Sequence, residues 1–128
     1  MAFSINGSTP YYTLPDTLEQ TAPAAPSQVK ILSPFDNSVI QRERLANIFT
    51  YDYQIECYVP EPKRRYGYFC LPILYRDSFV GRMDCKAHRN DEHLEIKHLV
   101  LEHEVDDDFF AALALAIGDF LTFQDCLT

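Results

Sequence analysis

Residues 65–102, RYGYFCLPILYRDSFVGRMDCKAHRNDEHLEIKHLVLE, restrict the chain more than any other stretch, and from Phe79 they alternate in hydropathy with a period of two. It reads as three consecutive antiparallel strands. From Phe79, the residues Phe79, Gly81, Met83, Cys85 and Ala87 fall on one face; Val80, Arg82, Asp84, Lys86 and His88 fall on the other. Arg89-Asn90-Asp91-Glu92 is a turn signal. After it Leu94, Ile96 and Val100 share one face, with His93, Glu95 and Lys97 on the other. A four-residue turn sets Lys86 opposite Glu95, Asp84 opposite Lys97 and Arg82 opposite the uncharged Leu99. Each opposite-charge pair is worth roughly 0.2–1 kcal/mol. The first strand of this ribbon is predicted over Tyr66 to Leu74.

Upstream, Phe3 to Leu14 predicts a small hairpin about Asn6-Gly7, with Pro10 confining its second arm to an edge. Asp16 is placed to cap one helical turn ending near Gln20, and Thr21 to Ser27 (TAPAAPS) reads as a semi-rigid linker. Val29 to Leu32 predicts a short buried strand, and Ser33 to Asp36 a turn whose Asp36 or Asn37 caps a helix over 38–48. Tyr51 to Val59 returns to period two, with Tyr53, Ile55 and Cys57 on one side. Pro60-Glu61-Pro62 predicts an extended loop. Beyond Glu102 the period becomes that of a helix. Asp106 to Asp108 suit its N-terminal turn, and Phe109, Leu113, Ile117, Phe120 and Leu121 make a stripe with little polar face behind it, which predicts a buried closing helix. The fold class expected is α+β: a small curled antiparallel sheet or partly closed barrel of five or six strands, with one flanking and one C-terminal closing helix.

At 128 residues and 47% hydrophobic content the chain has enough apolar material for one core. No apolar run approaches the ~18 residues of a membrane span and no leader pattern opens the chain, so the expected compartment is the cytoplasm, with no membrane partner. Cys57, Cys70, Cys85 and Cys126 lie within apolar patterns and read as core residues rather than disulfides. The net charge of −8 counts against a free-standing nucleic-acid binder. Yet eight of the eleven basic residues fall between 63 and 97, and acid gathers at Glu102, Glu104 and Asp106 to Asp108.

Two clusters are candidates for contact with a phosphate backbone. Lys63, Arg64 and Arg65 follow a stiff proline loop and interleave with Tyr66 and Tyr68, a pattern suited to phosphate contact and base stacking. The alternative is a solvated loop with tyrosines packed on the core. Arg82, Lys86 and Arg89 extend the patch if they face outward, whereas Lys86 is simply neutralised if it pairs with Glu95. His88, His93, His98 and His103 recur every five residues. Only the first two converge across the turn, too few for zinc, and no metal or other cofactor is expected. Asp106 to Asp108 need no ion to explain them, and neither a phosphate-cradling glycine loop nor a nucleophile–base arrangement occurs.

Several ordered motifs carry a resemblance: Leu32-Ser33-Pro34-Phe35-Asp36; Arg42-Glu43-Arg44; Tyr58-Val59-Pro60 with Pro62 to Tyr68; Leu71-Pro72-Ile73-Leu74; and Val80 to Arg89. Over residues 31–102 the chain resembles the C-terminal part of the bacterial winged-helix DNA glycosylases that unhook interstrand crosslinks, the AlkZ/YcaQ type. The opening hairpin then looks like the last wing of a preceding winged-helix region, giving residues 1–20 as its remnant, 21–28 as linker and 29–128 as a C-terminal barrel-like domain. The resemblance implies hydrolysis of N-glycosidic bonds of alkylated or crosslinked purines. It also implies that the catalytic motif, a glutamine, one intervening residue, then glutamine or aspartate, lies in the winged-helix region. Glutamines stand here at 20, 28, 41, 54 and 124, and none opens that motif; Gln54-Ile55-Glu56 comes nearest and is read as coincidence. The implied role is therefore a non-catalytic domain, inactive alone, with DNA and the winged-helix region of the same protein as partners. The competing reading is a protein–protein interaction or scaffolding domain with no nucleic-acid role.

Overall fold

The structure is a computed structural model; it describes residues 2–4 through their backbone and residues 10–21, 23, 24 and 26–128 in full. The predicted Asn6-Gly7 turn lies outside the described residues, as do Ala22 and Ala25 of the predicted linker. Strands β1 (Ala2–Ser4) and β2 (Pro10–Tyr12) pair antiparallel as a sheet of their own. The short helix α1 (Pro15–Glu19) follows, with Asp16 in its first turn and Leu14, not Asp16, at its N-cap.

The main body is α+β. Strands β3 (Val29–Ile31), β4 (Cys70–Tyr75), β5 (Ser78–His88) and β6 (His93–Leu101) form one antiparallel sheet in that order. The sheet is open, with edges at β3 and β6, so the barrel expectation gives way to a four-stranded sheet. Tyr51 to Val59, predicted as a strand, joins no ladder. Tyr51 and Tyr53 instead lay their rings on the sheet and donate their hydroxyls to the carbonyls of Gly81 (3.0 Å) and Cys70 (2.6 Å). Helix α2 (Arg42–Phe49) begins later than predicted. Asp36 spends its carboxylate on the Ser38 N–H (2.8 Å), which stabilises a turn rather than a helix start. The proline loop closes as a 3-10 turn over Glu61–Lys63, not an extended segment.

The sheet is covered on both faces. One side packs Val29, Ile73, Tyr75, Val80 and Met83 against Phe109 and Leu113 of helix α3 (Asp107–Phe123). The other packs Phe79 against Val39, Leu45, Tyr51 and Tyr53. Two bulges set this arrangement. Ile73 pairs with Gly81 and Leu74 with Phe79, leaving Val80 as the extra residue. That extra residue turns Phe79 to the face opposite Met83, so the uniform alternation predicted from Phe79 fails at its first step. Asp84 pairs with His98 and Cys85 with Ile96, which makes Lys97 the extra residue on β6. Asp84 thus faces His98 rather than Lys97, and Arg82 faces Val100 rather than Leu99, whereas Lys86 faces Glu95 as predicted. At Gly81 the strands come so close that a Cβ would stand 2.1 Å from the Val100 carbonyl oxygen.

Helix α3 is anchored at its start. Asp106 caps it by accepting the Phe109 N–H (3.0 Å), accepts the Tyr75 hydroxyl (2.9 Å) and pairs with Arg76 (3.3 Å). Its far side departs from the prediction of a buried helix: Phe110, Leu115 and Phe123 are 54%, 74% and 80% exposed. The four cysteines are free thiols, Cys70 and Cys126 buried, Cys57 and Cys85 half-buried. Among the described residues no helix is long and apolar enough to cross a membrane.

Because Phe109 is fully buried against Tyr75 and the exposed Phe110 is not, Phe109→Ala will cost about 3–5 kcal/mol of unfolding free energy in urea titration. Phe110→Ala will change it by no more than about 0.5 kcal/mol.

Candidate nucleic-acid interface

The basic loop at residues 63–68 is held by a residue the sequence reading passed over. Glu56 is 8% exposed, and its carboxylate accepts three consecutive backbone N–H groups, from Arg65 (2.9 Å), Tyr66 (2.8 Å) and Gly67 (3.0 Å). Burial alone would raise the Glu56 carboxyl; the N–H groups of Gly67, Arg65 and Tyr66, with the nearby Arg82 charge, more than offset it and hold the carboxyl below its usual range. Gln54-Ile55-Glu56 therefore supplies an acceptor that folds the loop, not a base. The backbone carbonyls of Glu56 and Val59 take the Arg64 Nε (3.2 and 2.9 Å). Gly67, at φ +153°, lies against Asp84, where a Cβ would sit 2.2 Å from Oδ2. Only glycine fits there. The Asp84 carboxylate, buried, accepts the Phe69 N–H (3.4 Å).

What this scaffold presents is a short cationic and aromatic ridge. Lys63 and Arg65 are exposed, Arg64 and Tyr66 half-buried, and Tyr68 is 54% exposed. The Arg64 guanidinium lies 4.9 Å from the Tyr68 ring centroid and that of Arg65 5.2 Å from the Tyr66 centroid. His98 Nδ1 donates to the Tyr66 carbonyl (3.0 Å), tying the ridge to β6.

Arg82 is a correction. Predicted to face outward as part of the patch, it is 2% exposed. Its Nε and Nη2 make a two-pronged pair with Glu102 (3.1 and 2.9 Å), and Nη2 also donates to the Asp52 carbonyl (2.8 Å). The guanidinium stands 4.0, 4.9 and 5.6 Å from the ring centroids of Tyr66, Tyr51 and Tyr53. Burial is the largest single influence and works against its charge, but the Glu102 hydrogen bonds together with the electrostatic interactions of Tyr51, Glu102 and Tyr66 outweigh it and raise its pKa. Arg82 supports the ridge from below, through Tyr66, instead of extending it. Burial also lifts the Tyr51 hydroxyl well above the tyrosine range and that of Tyr53 to about 12, so both stay protonated donors.

Lys86 and Arg89 are exposed, Arg89 in a 3-10 turn at the hairpin tip, roughly 20 Å along the strand from Arg82. Glu95, cross-strand from Lys86, forms its short contact with His88 instead (2.8 Å). His88 stacks on His93, whose Nδ1 meets the Thr128 hydroxyl (3.2 Å). Among the described residues no group of three or more His, Cys, Asp or Glu is placed to hold a metal.

A family model described as DNA glycosylase AlkZ-like matches residues 1–123. The chain belongs to that family. No solved structure matches the chain. Membership of the AlkZ-like family relates the chain to DNA-repair glycosylases and implies DNA as a partner.

Glu56→Gln will destabilise the protein by roughly 2 kcal/mol or more, because the amide cannot satisfy three N–H donors with a charged acceptor. The Arg65, Tyr66 and Gly67 amides will exchange faster with deuterium. Since the carboxyl is held low when folded, its stabilisation is complete above the ordinary carboxylate pKa and disappears as pH falls through the depressed value. Acid titration of stability will show this limb in the native chain and a flatter one in Glu56→Gln.

Proposed function

We propose that the chain is the non-catalytic C-terminal domain of a winged-helix DNA glycosylase acting on alkylated or crosslinked DNA. Residues 1–20 are the remnant of a wing, 21–28 a linker and 29–128 the domain itself. Lys63, Arg64 and Arg65 contact the backbone with Tyr66 and Tyr68 beside them, and Lys86 and Arg89 give outlying contacts. The observation that carries this reading is the Glu56 carboxylate beneath the loop. Three backbone N–H groups fixed by one buried acceptor order the loop in advance, so the cations lose little freedom on meeting phosphate. The other partner is the winged-helix region of the same protein, in the bacterial cytoplasm, and the domain needs no cofactor.

A second reading, a protein-interaction or scaffolding domain without DNA contact, draws on the net charge of −8 and on the exposed apolar flank of α3 at Phe110, Leu115 and Phe123.

Fluorescence anisotropy of a labelled duplex across a salt series separates the two. Replacing Lys63 and Arg65 together by alanine will weaken binding about equally on all sequences and lower the slope of log affinity against log salt by about two. An unchanged slope would overturn the DNA reading in favour of the second. The chain alone will release no base from alkylated duplex.

A further inference from the structure

Below the basic loop a cavity of about 290 Å³ opens between the segment at 50–56, Tyr66 and the end of β6. Its walls differ in chemistry. Aromatic Tyr51 and Tyr66, basic Arg82 and acidic Asp52 and Glu102 are among its lining residues. Arg82 is the decisive member. Its Nε and Nη2 are engaged, whereas Nη1 donates to no group among the described residues. No buried side-chain nitrogen or oxygen is left without a partner among those residues. Nη1 of this 98%-buried residue therefore keeps some accessible surface, and since Arg82 lines the cavity, its two N–H donors are the ones left to meet a ligand there.

The geometry points to a receptor for one unpaired nucleobase carrying a carbonyl beside a ring N–H, that is, guanine or thymine. This rests on the reading that DNA lies against the loop above. Two features select that ligand. The volume, just below the about 300 Å³ at which ordinary ligand sites begin, gives room for one ring system. The carboxylates of Asp52, Glu56 and Glu102 outnumber the guanidiniums of Arg65 and Arg82, so the interior repels an anion and favours a neutral group. Arg82 Nη1 then donates to the base carbonyl and the Asp52 carboxylate accepts the adjacent ring N–H. Adenine presents an amino group where the carbonyl is required and leaves Nη1 unpaired.

Anisotropy with duplexes holding a single bulged guanine, thymine, adenine or abasic residue reads this directly. Guanine and thymine bulges will bind on the order of tenfold tighter than the abasic bulge, with adenine close to abasic. Asp52→Asn keeps the backbone carbonyl that holds Arg82 and will reduce the guanine-to-abasic ratio several-fold, a ratio in which general charge effects cancel. Arg82→Lys, checked for folding by circular dichroism, will reduce it too. Equal affinity for base-bearing and abasic bulges, or a ratio unmoved by Asp52→Asn, would overturn the inference. The salt slope set by Lys63 and Arg65 would still stand in either case, so failure of the cavity and failure of the DNA reading give different results.

Discussion

The buried guanidinium of Arg82 is the constraint around which the upper half of the molecule is arranged. A cation this far from water is tolerable only if paired and hydrogen-bonded, and an unpaired guanidinium, which keeps its proton, would destabilise the fold around it. Glu102, just past the end of β6, supplies the countercharge; the Asp52 carbonyl supplies a further acceptor; Tyr51, Tyr53 and Tyr66 supply ring faces. Meeting those needs brings residues from three places in the chain, 51–53, 66 and 102, onto β5. It also explains why the segment at 51–56 lies flat on the sheet without joining its ladder: one of its carbonyls is given to Arg82 and two of its hydroxyls to strand carbonyls.

Much of this architecture was legible in the residues, and the failures share a cause. The β5–β6 hairpin and its Lys86–Glu95 register follow from alternation and turn chemistry, and the acidic start of α3 follows from dipole and capping preferences. Period two, however, assumes an unbroken ladder with one wet face. Val80 breaks the ladder against β4 and Lys97 breaks it against β6. The face carrying Arg82 is dry because a separate segment covers it. A charged residue within a strand that is buried on both sides cannot be told from a surface one by periodicity. The available cue was aromatic: Tyr51, Tyr53 and Tyr66 are rings that a buried arginine needs.

The same reasoning applies to Glu56 and to α3. Glu56 sits in an apolar-looking stretch, and its three N–H partners are nine to eleven residues away, so no local rule reveals them. Helix α3 misled in the opposite sense. An all-round apolar helix predicts burial on every side, yet the sheet covers only the flank bearing Phe109 and Leu113. The sequence correctly marks the other flank as unsuited to water without saying what should cover it.

The proposed contact of an acidic protein with DNA through a few cations is consistent if range is considered. At physiological salt, charges separated by more than about 8 Å are largely screened. Acid at the start of α3 is partly neutralised in place, Asp106 by Arg76, and its influence on a phosphate beside Lys63 depends on distance more than on sign. On the proposed reading, counterion release is local to the phosphates at Lys63 and Arg65, so the net charge of −8 would oppose approach at low salt far more than contact. Rigid presentation then matters more than the number of cations. On that proposal, a loop folded on one buried carboxylate and a ring, Tyr66, held from beneath by a buried arginine are the means of such presentation.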